Sequence, residues 1–320
     1  MRVVVTGAAG YVGSRLVPEL LRRGHAVVAT RTGADPPAVS WADQVEWRRM
    51  DVLNLRETVL ALAGVDAVVY LIHGLGDADF RHIDREAAEN LRDAVDHQGV
   101  RRLVYLSGLV PDGSTADLSE HLASRLEVEE TLAQSTASTL TLRAAMVVGS
   151  GSTSFEMVRQ ISERLPLIQT IPTWMRDTLV QPIAVADAVH YLAEAVERVD
   201  VVGHLDVAGP DRLTYPQLLD LYADIAGLTR IQVTVPGLPQ ELVGWVAGLL
   251  TDIDTPTVQS LMASLRNDMV ADLEPIVALG PHNPMPLRES IRRALAVDDA
   301  DLDGADVAGD PARASAADRV

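Results

Sequence analysis

The sequence predicts an α/β protein with a doubly wound parallel sheet and a smaller, mostly helical C-terminal region. Short β-branched strands alternate with amphipathic helices through the first half of the chain, as right-handed βαβ crossovers require. A glycine-rich turn separates the first strand from the first helix. At 320 residues, the chain suits one large domain with an accessory region better than two independent domains.

The first elements follow from the residue pattern. The run RVVVT at residues 2–6 predicts a buried strand, because its β-branched residues suit a parallel sheet. Apolar residues at helical spacing predict a helix over residues 11–23, which Gly24 ends. A second strand is expected at residues 26–30, a third at 45–50, and a short helix after Asn54.

The same alternation continues to about residue 150 and then loosens. We expect strands at 66–73, 101–108 and 138–149, with helices at about 80–97 and 118–132 between them. Beyond them we expect a helix at 154–165, a loop at 167–178, a helix at 184–199, a strand at 204–210 and mainly helices over 213–295.

These elements predict a nucleotide-binding domain at residues 1–150, to which 180–210 return, and a substrate or cap region at 151–179 and 211–295. Residues 297–320 hold seven Asp, two Arg and no aromatic residue. Such a segment buries too little apolar surface to offset its ordering entropy, so we expect a disordered acidic tail.

Composition excludes several classes of function. The net charge of −18 argues against nucleic acid as a partner. The chain has no cysteine, and its eight histidines form no metal-binding motif, so no metal is expected. It has neither an apolar run long enough to span a membrane nor a signal peptide, so we expect a soluble, cytoplasmic monomer or homodimer.

The segment TGAAGYVG, residues 6–13, carries the strongest functional signal. It follows a strand and opens a helix, the context in which a glycine pattern predicts a Rossmann-type dinucleotide site. Glycines at these positions allow a tight turn, close approach of the pyrophosphate, and close packing of the helix, whose N-terminus attracts phosphate. The alternative is a glycine-rich turn without a ligand. The predicted cofactor contacts here are Gly7, Ala9, Gly10, Tyr11, Val12 and Gly13.

Arg31 indicates which dinucleotide is bound. It lies eighteen residues after Gly13, near the position where an NAD-selective fold has a carboxylate for the ribose 2′-hydroxyl. A guanidinium suits a 2′-phosphate, so the sequence favours NADP, with NAD possible. Alternatively, Arg31 points into solvent or covers the adenine without discriminating between the two.

Several motifs together resemble the atypical short-chain dehydrogenase/reductases, and most closely their NmrA-like and extended-like NAD(P)H-binding members. The resemblance covers about residues 1–295. Its carriers are TGAAGYVG, the pair Asp51-Val52, YLIHG, a helix with Asp84, Ala88 and Asn90, GVRRLVYLSGL, LRAAMVVGSGSTSFEMVRQ and VQPIAVADAVHYL.

The resemblance implies further contacts for the cofactor. Asp51 and Val52 would lie against the adenine, and Leu71, Ile72 and His73 along the ribose and nicotinamide. The alternative for these residues is strand-end capping and core packing.

The family's usual catalytic set is a Ser after the fifth strand and a Tyr-x-x-x-Lys on the next helix. Ser107 matches the Ser, but His121 stands in place of Tyr and Arg125 in place of Lys. Arg125 can still hold the ribose, whereas it cannot shuttle a proton at neutral pH. His121 can act as an acid or base near pH 7, although a cation one turn away favours its neutral form.

The alternative to this catalytic assignment is that the three residues have no catalytic role. His121 and Arg125 would then be surface residues, with Arg125 paired to Glu129 at i+4, and Ser107 would only bond the backbone at its strand end.

The sequence therefore supports three functions. The first is an NADP-dependent oxidoreductase for a small apolar carbonyl, quinone or enone, in which Ser107 polarises the acceptor oxygen and His121 or water supplies the proton. In that case helices after Gly237, with Trp174, Met175 and Trp245, would wall the substrate pocket. The second is an NmrA-like redox sensor without catalysis. The third, a nucleotide-sugar epimerase or dehydratase, is disfavoured because Tyr-x-x-x-Lys is missing.

Overall fold

The predicted doubly wound sheet is confirmed. The computed structural model describes residues 1–74, 79–111, 118–165 and 167–296, so the predicted tail at 297–320 lies outside the described residues. Within these ranges, seven strands form one parallel sheet. In sheet order the strands are β11 (Gly203–Val207), β6 (Ser138–Ala144), β5 (Arg102–Gly108), β4 (Ala67–Tyr70), β1 (Arg2–Val5), β2 (Ala26–Arg31) and β3 (Glu46–Arg49).

Helices cover both faces of this sheet. Those on one face are α1 (Gly13–Arg22) and α6 (Val185–Glu197), and those on the other are α2 (Leu55–Ala61), α3 (Phe80–Gln98) and α4 (Glu120–Leu132). Alternate strand residues enter different cores: Val3 and Val5 pack toward α1 and α6, and Val4 packs toward α3. Because both faces are buried, the strands in the middle of the sheet are mostly apolar, which is why the sequence predicted them well.

A third core lies in the C-terminal region. Its helices are α5 (Thr153–Arg164), α7 (Tyr215–Ile225), α8 (Gln240–Leu249), α9 (Thr255–Ser264) and α10 (Leu287–Leu295). Three strand pairs accompany them: β7 (Val147–Val148) with β10 (Ile183–Ala184), β8 (Ile168–Pro172) with β13 (Ile231–Val235), and β9 (Leu179–Val180) with β12 (Leu213–Thr214). Short 3₁₀ turns lie at Ala42–Gln44, Thr173–Met175 and Pro275–Leu279.

Two expectations about secondary structure were wrong. The expected loop at 167–178 contains β8, which pairs in parallel with β13, itself missed among the predicted helices. Each strand has five residues and a mixed polar pattern, so a partner about 60 residues away, rather than the local sequence, defines it. The strand expected over 138–149 is two strands, because β7 leaves the main sheet to pair with β10.

No helix in the described part of the chain combines the length and the apolar character needed to cross a bilayer.

Candidate active site

The glycine turn between β1 and α1 has the geometry that its sequence predicts. Gly7 has φ of +62°, a conformation that favours glycine, and its carbonyl accepts from Gly10 N at 2.9 Å. A Cβ on Gly13 would lie 2.3 Å from the Gly7 carbonyl oxygen, so that position admits only glycine. A Cβ on Gly10 would meet the Gly7 oxygen at 3.1 Å and no other atom within 4 Å. The turn therefore leaves open space beside Gly10, which fits a pyrophosphate at the start of α1.

Tyr11 and Arg15 fasten this turn to the loop before α5. The Arg15 guanidinium lies 4.1 Å from the centre of the Tyr11 ring and donates to the Ser150 carbonyl at 3.1 Å. A Cβ on Gly149 would lie 2.2 Å from the Tyr11 hydroxyl, so the ring packs directly on that glycine. Sequence reasoning missed Arg15, although its position one turn after Tyr11 could have indicated the contact.

The predicted adenine end of the site lies at the ends of β2 and β3. Arg31 ends β2 and donates from Nη1 to the Gly33 carbonyl, while its buried Nε has no partner among the described residues. Asp51 is exposed and caps the Leu53 amide at 3.0 Å. The carbonyl of buried Val52 accepts from Asn90 Nδ2 at 3.1 Å. Asp51 and Val52 therefore make the capping and packing contacts of the alternative interpretation. The carboxylate of Asp51 is exposed as well.

The segment after β4 runs beside the glycine turn. Leu71 N donates to the Thr6 hydroxyl at 3.0 Å, and Leu71 and Ile72 lie 3.7 Å from the position of a Cβ on Gly7. The side chain of His73 is solvent-exposed, although neighbouring protein surrounds its position. That surrounding protein, followed by the charge of Arg125 and by His121, lowers the pKa of His73 to about 3.

Buried Asp84 ties this segment to α4. One carboxylate oxygen accepts from Gly74 N at 2.7 Å, and the other accepts from Ser124 Oγ at 3.1 Å. Ser124 is the neighbour of Arg125 in the helix. The resemblance marked Asp84 as a family residue, and its hydrogen bonds give the physical reason, because they set the distance between the end of β4 and α4.

His121 and Arg125 lie on α4 as predicted, and both are only partly exposed. Burial, and secondarily Arg125, lowers the pKa of His121 to about 3. The expectation that the neighbouring cation favours neutral histidine is confirmed in direction. Because desolvation disfavours the imidazolium, His121 is neutral at pH 7, and its role as an acid or base stays a prediction.

Arg125 is held by β5 rather than by a carboxylate. Its Nη1 donates to the Tyr105 hydroxyl at 3.3 Å and to the Leu106 carbonyl at 3.4 Å. The alternative pairing with Glu129 is wrong, since Glu129 binds Arg143 at 2.8 Å. Arg125 Nε is buried without a partner in the described chain, so the guanidinium keeps a donor for a ligand.

Ser107 lies on the same strand as Tyr105 and on the same face. It is 2% exposed, and its Oγ forms no hydrogen bond of normal geometry with a described residue. It lies close enough to the Tyr105 hydroxyl to favour the ionised phenol, although burial is the larger effect and raises the pKa of Tyr105. The alternative in which Ser107 bonds the backbone finds no support among the described residues, because Ser107 Oγ has no backbone partner there.

Other predicted features are not part of this arrangement. Among the described residues, no three His, Asp or Glu side chains meet as a metal site. Met175 lines an apolar cavity in the C-terminal region, whereas Trp174 does not and Trp245 is 51% exposed. The placement of the two tryptophans beside a substrate pocket stays a prediction.

The geometry thus defines a Rossmann-type nucleotide site with a polar group of residues at the carboxyl edge of the sheet. Residues 7–164 match the model of a family described as NAD(P)H-binding. This match bears out the predicted resemblance to an NAD(P)H-binding family.

Two curated relatives illustrate what the chain is similar to. An uncharacterized protein of Mycobacterium tuberculosis (strain ATCC 25618 / H37Rv) is 27% identical over 220 residues, which are 68% of this chain and 23% of the relative. A 3-beta-hydroxysteroid dehydrogenase of Mycolicibacterium neoaurum is 34% identical over 116 residues, 32% of this chain and 31% of the relative. The chain therefore spans less than a third of either relative's length.

Solved structures share the fold across nearly the whole chain. A nucleoside-diphosphate-sugar epimerase from Staphylococcus aureus has a TM-score of 0.75 and 15% identity, covering 91% of this chain and 100% of that one. The UDP-glucose 4-epimerase of Thermus thermophilus, solved with NAD, has a TM-score of 0.67 and 21% identity, covering 92% and 97%. At these identities, the likeness establishes the fold alone.

Proposed function

We propose that the protein is an NADP(H)-dependent oxidoreductase that reduces a small apolar carbonyl, quinone or enone. The observation that carries the proposal is the buried Ser107 hydroxyl, which forms no hydrogen bond of normal geometry with a described residue, on the strand that also anchors Arg125. An orphaned buried hydroxyl costs free energy, so it is kept where a ligand completes it. The dehydrogenase named among the relatives supports oxidoreduction at the level of class.

The residues of the turn fit a dinucleotide, because the space beside Gly10 and the start of α1 suit its pyrophosphate. NAD(P)H, when bound, supplies a hydride. Arg31 supports NADP over NAD, as its guanidinium suits a 2′-phosphate. Arg125 would hold the ribose through the donors that Tyr105 and Leu106 leave free.

The protein side chains then have separate roles toward the substrate. The Ser107 hydroxyl would donate a hydrogen bond to the acceptor oxygen and polarise it. Neutral His121 would orient a water molecule through its ring N–H, and that water would deliver a proton to the reduced oxygen, leaving a hydroxide that bulk water neutralises. Tyr105 is a positioning residue, since it is 1% exposed and bonds Arg125.

NADPH-dependent reduction of a panel of quinones and aldehydes tests the proposal. Ser107→Ala and His121→Phe should each lower turnover by about 10²-fold, with NADPH affinity little changed. The first removes the hydroxyl that polarises the acceptor oxygen, and the second removes the ring that orients the proton-donating water. His97→Phe is a matched control at an exposed position of α3 and should leave turnover unchanged. Activity that survives both substitutions would overturn the residue assignment.

A second candidate is an NmrA-like redox sensor, favoured by the replacement of Tyr-x-x-x-Lys with His121 and Arg125. If NADPH binds but no member of the panel is reduced, the sensor takes precedence. We do not propose the epimerase activity named in the structural comparisons. Epimerases resemble the family members that retain Tyr-x-x-x-Lys, and this chain lacks that motif. The cytoplasmic location, the monomeric or dimeric state and the domain boundaries stay predictions.

A further inference from the structure

A cavity of about 260 Å³ lies in the C-terminal region, away from the polar residues at the sheet edge. Its wall is formed by α5, β8, α7, α8 and α9 and their adjoining loops. Apart from Gln169, Thr170 and Tyr215, the described residues that line it are apolar. Such a void excludes water and suits hydrocarbon.

Gln169 makes this wall unlike an ordinary packing defect. It is 1% exposed, and its Nε2 contacts Ser162 Oγ at 3.4 Å, while its Oε1 is buried without a partner in the described chain. A buried amide oxygen without a donor is unfavourable by an amount comparable to a lost hydrogen bond. A donor group on a bound molecule would remove that penalty.

Tyr215 also lines the cavity, and the backbone beside it is tied to the strand that pairs with β8. Gln169 pairs with Gln232 in the β8–β13 register, and Gln232 Nε2 donates to the carbonyl of Pro216, the residue after Tyr215. Burial raises the pKa of Tyr215, so its hydroxyl stays protonated and can donate. The residues that line the cavity therefore include both an acceptor and a donor, the two partners that a single alcohol can use.

The cavity opens at α8. Leu242 and Val246 both line it, and they are 47% and 41% exposed. A ligand can therefore enter between these side chains without unfolding the region.

The cavity also borders the helix that carries His121. Leu265 lines the cavity, and the preceding residue, Ser264, has its hydroxyl oxygen 3.0 Å from that of Ser119. Ser119 caps α4 two residues before His121. The contact between Ser264 and Ser119 thus connects the wall of the cavity to the helix that carries His121.

We propose that this cavity binds an aliphatic molecule of medium chain length whose hydroxyl group meets Gln169 and Tyr215. An apolar cavity of about 150 Å³ holds a benzene ring, so about ten carbon atoms fit the present volume. Identifying this molecule as part of the substrate rests on the proposed function; its binding does not.

Calorimetric titration of the full chain with 1-decanol tests the inference, with 1-methoxynonane as a probe of similar length that cannot donate. Decanol should bind about tenfold more tightly than the ether, because it alone supplies the missing donor. Gln169→Met should remove this preference, and Gln134→Met, at an exposed position, should retain it. Ala247→Leu should weaken both probes about tenfold by filling the void, whereas Ala63→Leu, also exposed, should not.

The outcomes separate this inference from the proposed function. Failure of both probes to bind, equal affinity for them, or tighter binding of the ether would overturn the inference, even if NADPH reduces short aldehydes. Decanol binding that depends on Gln169, in a protein that reduces nothing, would uphold the site and refute the oxidoreductase.

Discussion

Arg31 is the side chain on which the choice between NADPH and NADH depends. Its buried Nε lacks a partner among the described residues, and Nη1 rests on the Gly33 carbonyl. We expect NADPH to bind at least about tenfold more tightly than NADH, and Arg31→Asp to erase or reverse that preference through charge repulsion. Fluorescence titration with both nucleotides measures the ratio.

Arg22→Asp provides the control for this prediction. Arg22 is an exposed arginine at the end of α1, and it pairs with Glu19 at 2.7 Å. Its substitution should leave the nucleotide preference unchanged. Equal affinities of the unmodified protein for NADPH and NADH would show that Arg31 does not recognise a phosphate.

His121 links the site to the stability of the fold. Its pKa is lowered to about 3 in the folded protein, against about 6.5 for an unfolded histidine. Between these values the unfolded chain binds more protons, so stability present above pH 6.5 is lost as the pH falls. From about pH 7.5 to about pH 5.5, His121→Gln should lose about 1 kcal/mol less unfolding free energy than the unmodified protein.

Urea unfolding at the two pH values checks this difference, with His97→Gln as the exposed control. The comparison cancels the carboxylates, whose titration is common to all three proteins. An identical pH dependence of the unmodified protein and His121→Gln would mean that His121 can be protonated in the folded state.

At this scale the sequence located residues better than it described their roles. Ser107, His121 and Arg125 lie on the elements that their neighbours predicted. The anchoring of Arg125 by Tyr105 could not be foreseen, because the two side chains are 20 residues apart and meet only when α4 packs on β5. The low pKa of His121 likewise depends mainly on burial, which the tertiary structure determines.

At the scale of elements, Arg102 of β5 joins α6 to the sheet. It is fully buried, and its guanidinium donates to the carbonyls of Ala195, Ser138 and Val201 at 2.7–3.1 Å. Burial lowers its pKa to about 10, so it remains charged at neutral pH. These carbonyls belong to the end of α6, to the start of β6 and to the loop after α6, and they would lose their donor without Arg102.

We therefore expect Arg102→Met to lower the unfolding free energy by about 3 kcal/mol, since it leaves three acceptors without their donor. The neighbouring Arg101→Met is the matched control. Arg101 is 71% exposed and pairs with Asp66 at 2.7 Å, so its loss should cost at most about 1 kcal/mol. Similar effects of the two substitutions, measured by urea unfolding, would contradict the buried network.

The sequence predicted the elements that their own residues determine, and it missed those that depend on a partner far along the chain. The strands of the main sheet are mostly apolar, β-branched runs and were predicted. β8 and β13 were missed because each depends on the other across about 60 residues and exposes much of one face, including Ile168 and Ile231. The split of the strand after Ala144 was missed because β7 finds its partner in β10, 36 residues further on.

At the scale of the whole molecule, the described residues form three hydrophobic cores, which support two different parts of the protein. Two of them hold the sheet between its helices and fix the glycine turn, and the third surrounds the cavity of the C-terminal region. The predicted nucleotide site depends on a short contiguous motif, residues 6–13, which can be recognised in the sequence. The cavity depends on packing between helices with no motif, so the sequence suggested only a pocket beside the helices after Gly237 and could not indicate Gln169.

The measurement that tests the account most directly is calorimetric titration of the unmodified protein and of Gly10→Val with NADPH. A side chain at position 10 would occupy the open space beside the turn, so the unmodified protein should bind one NADPH per chain and the variant at least about 100-fold more weakly. Circular dichroism should show the same fold for both proteins without the nucleotide. If the folded variant binds NADPH as tightly as the unmodified protein does, the nucleotide does not lie on the glycine turn, and the central claim is wrong.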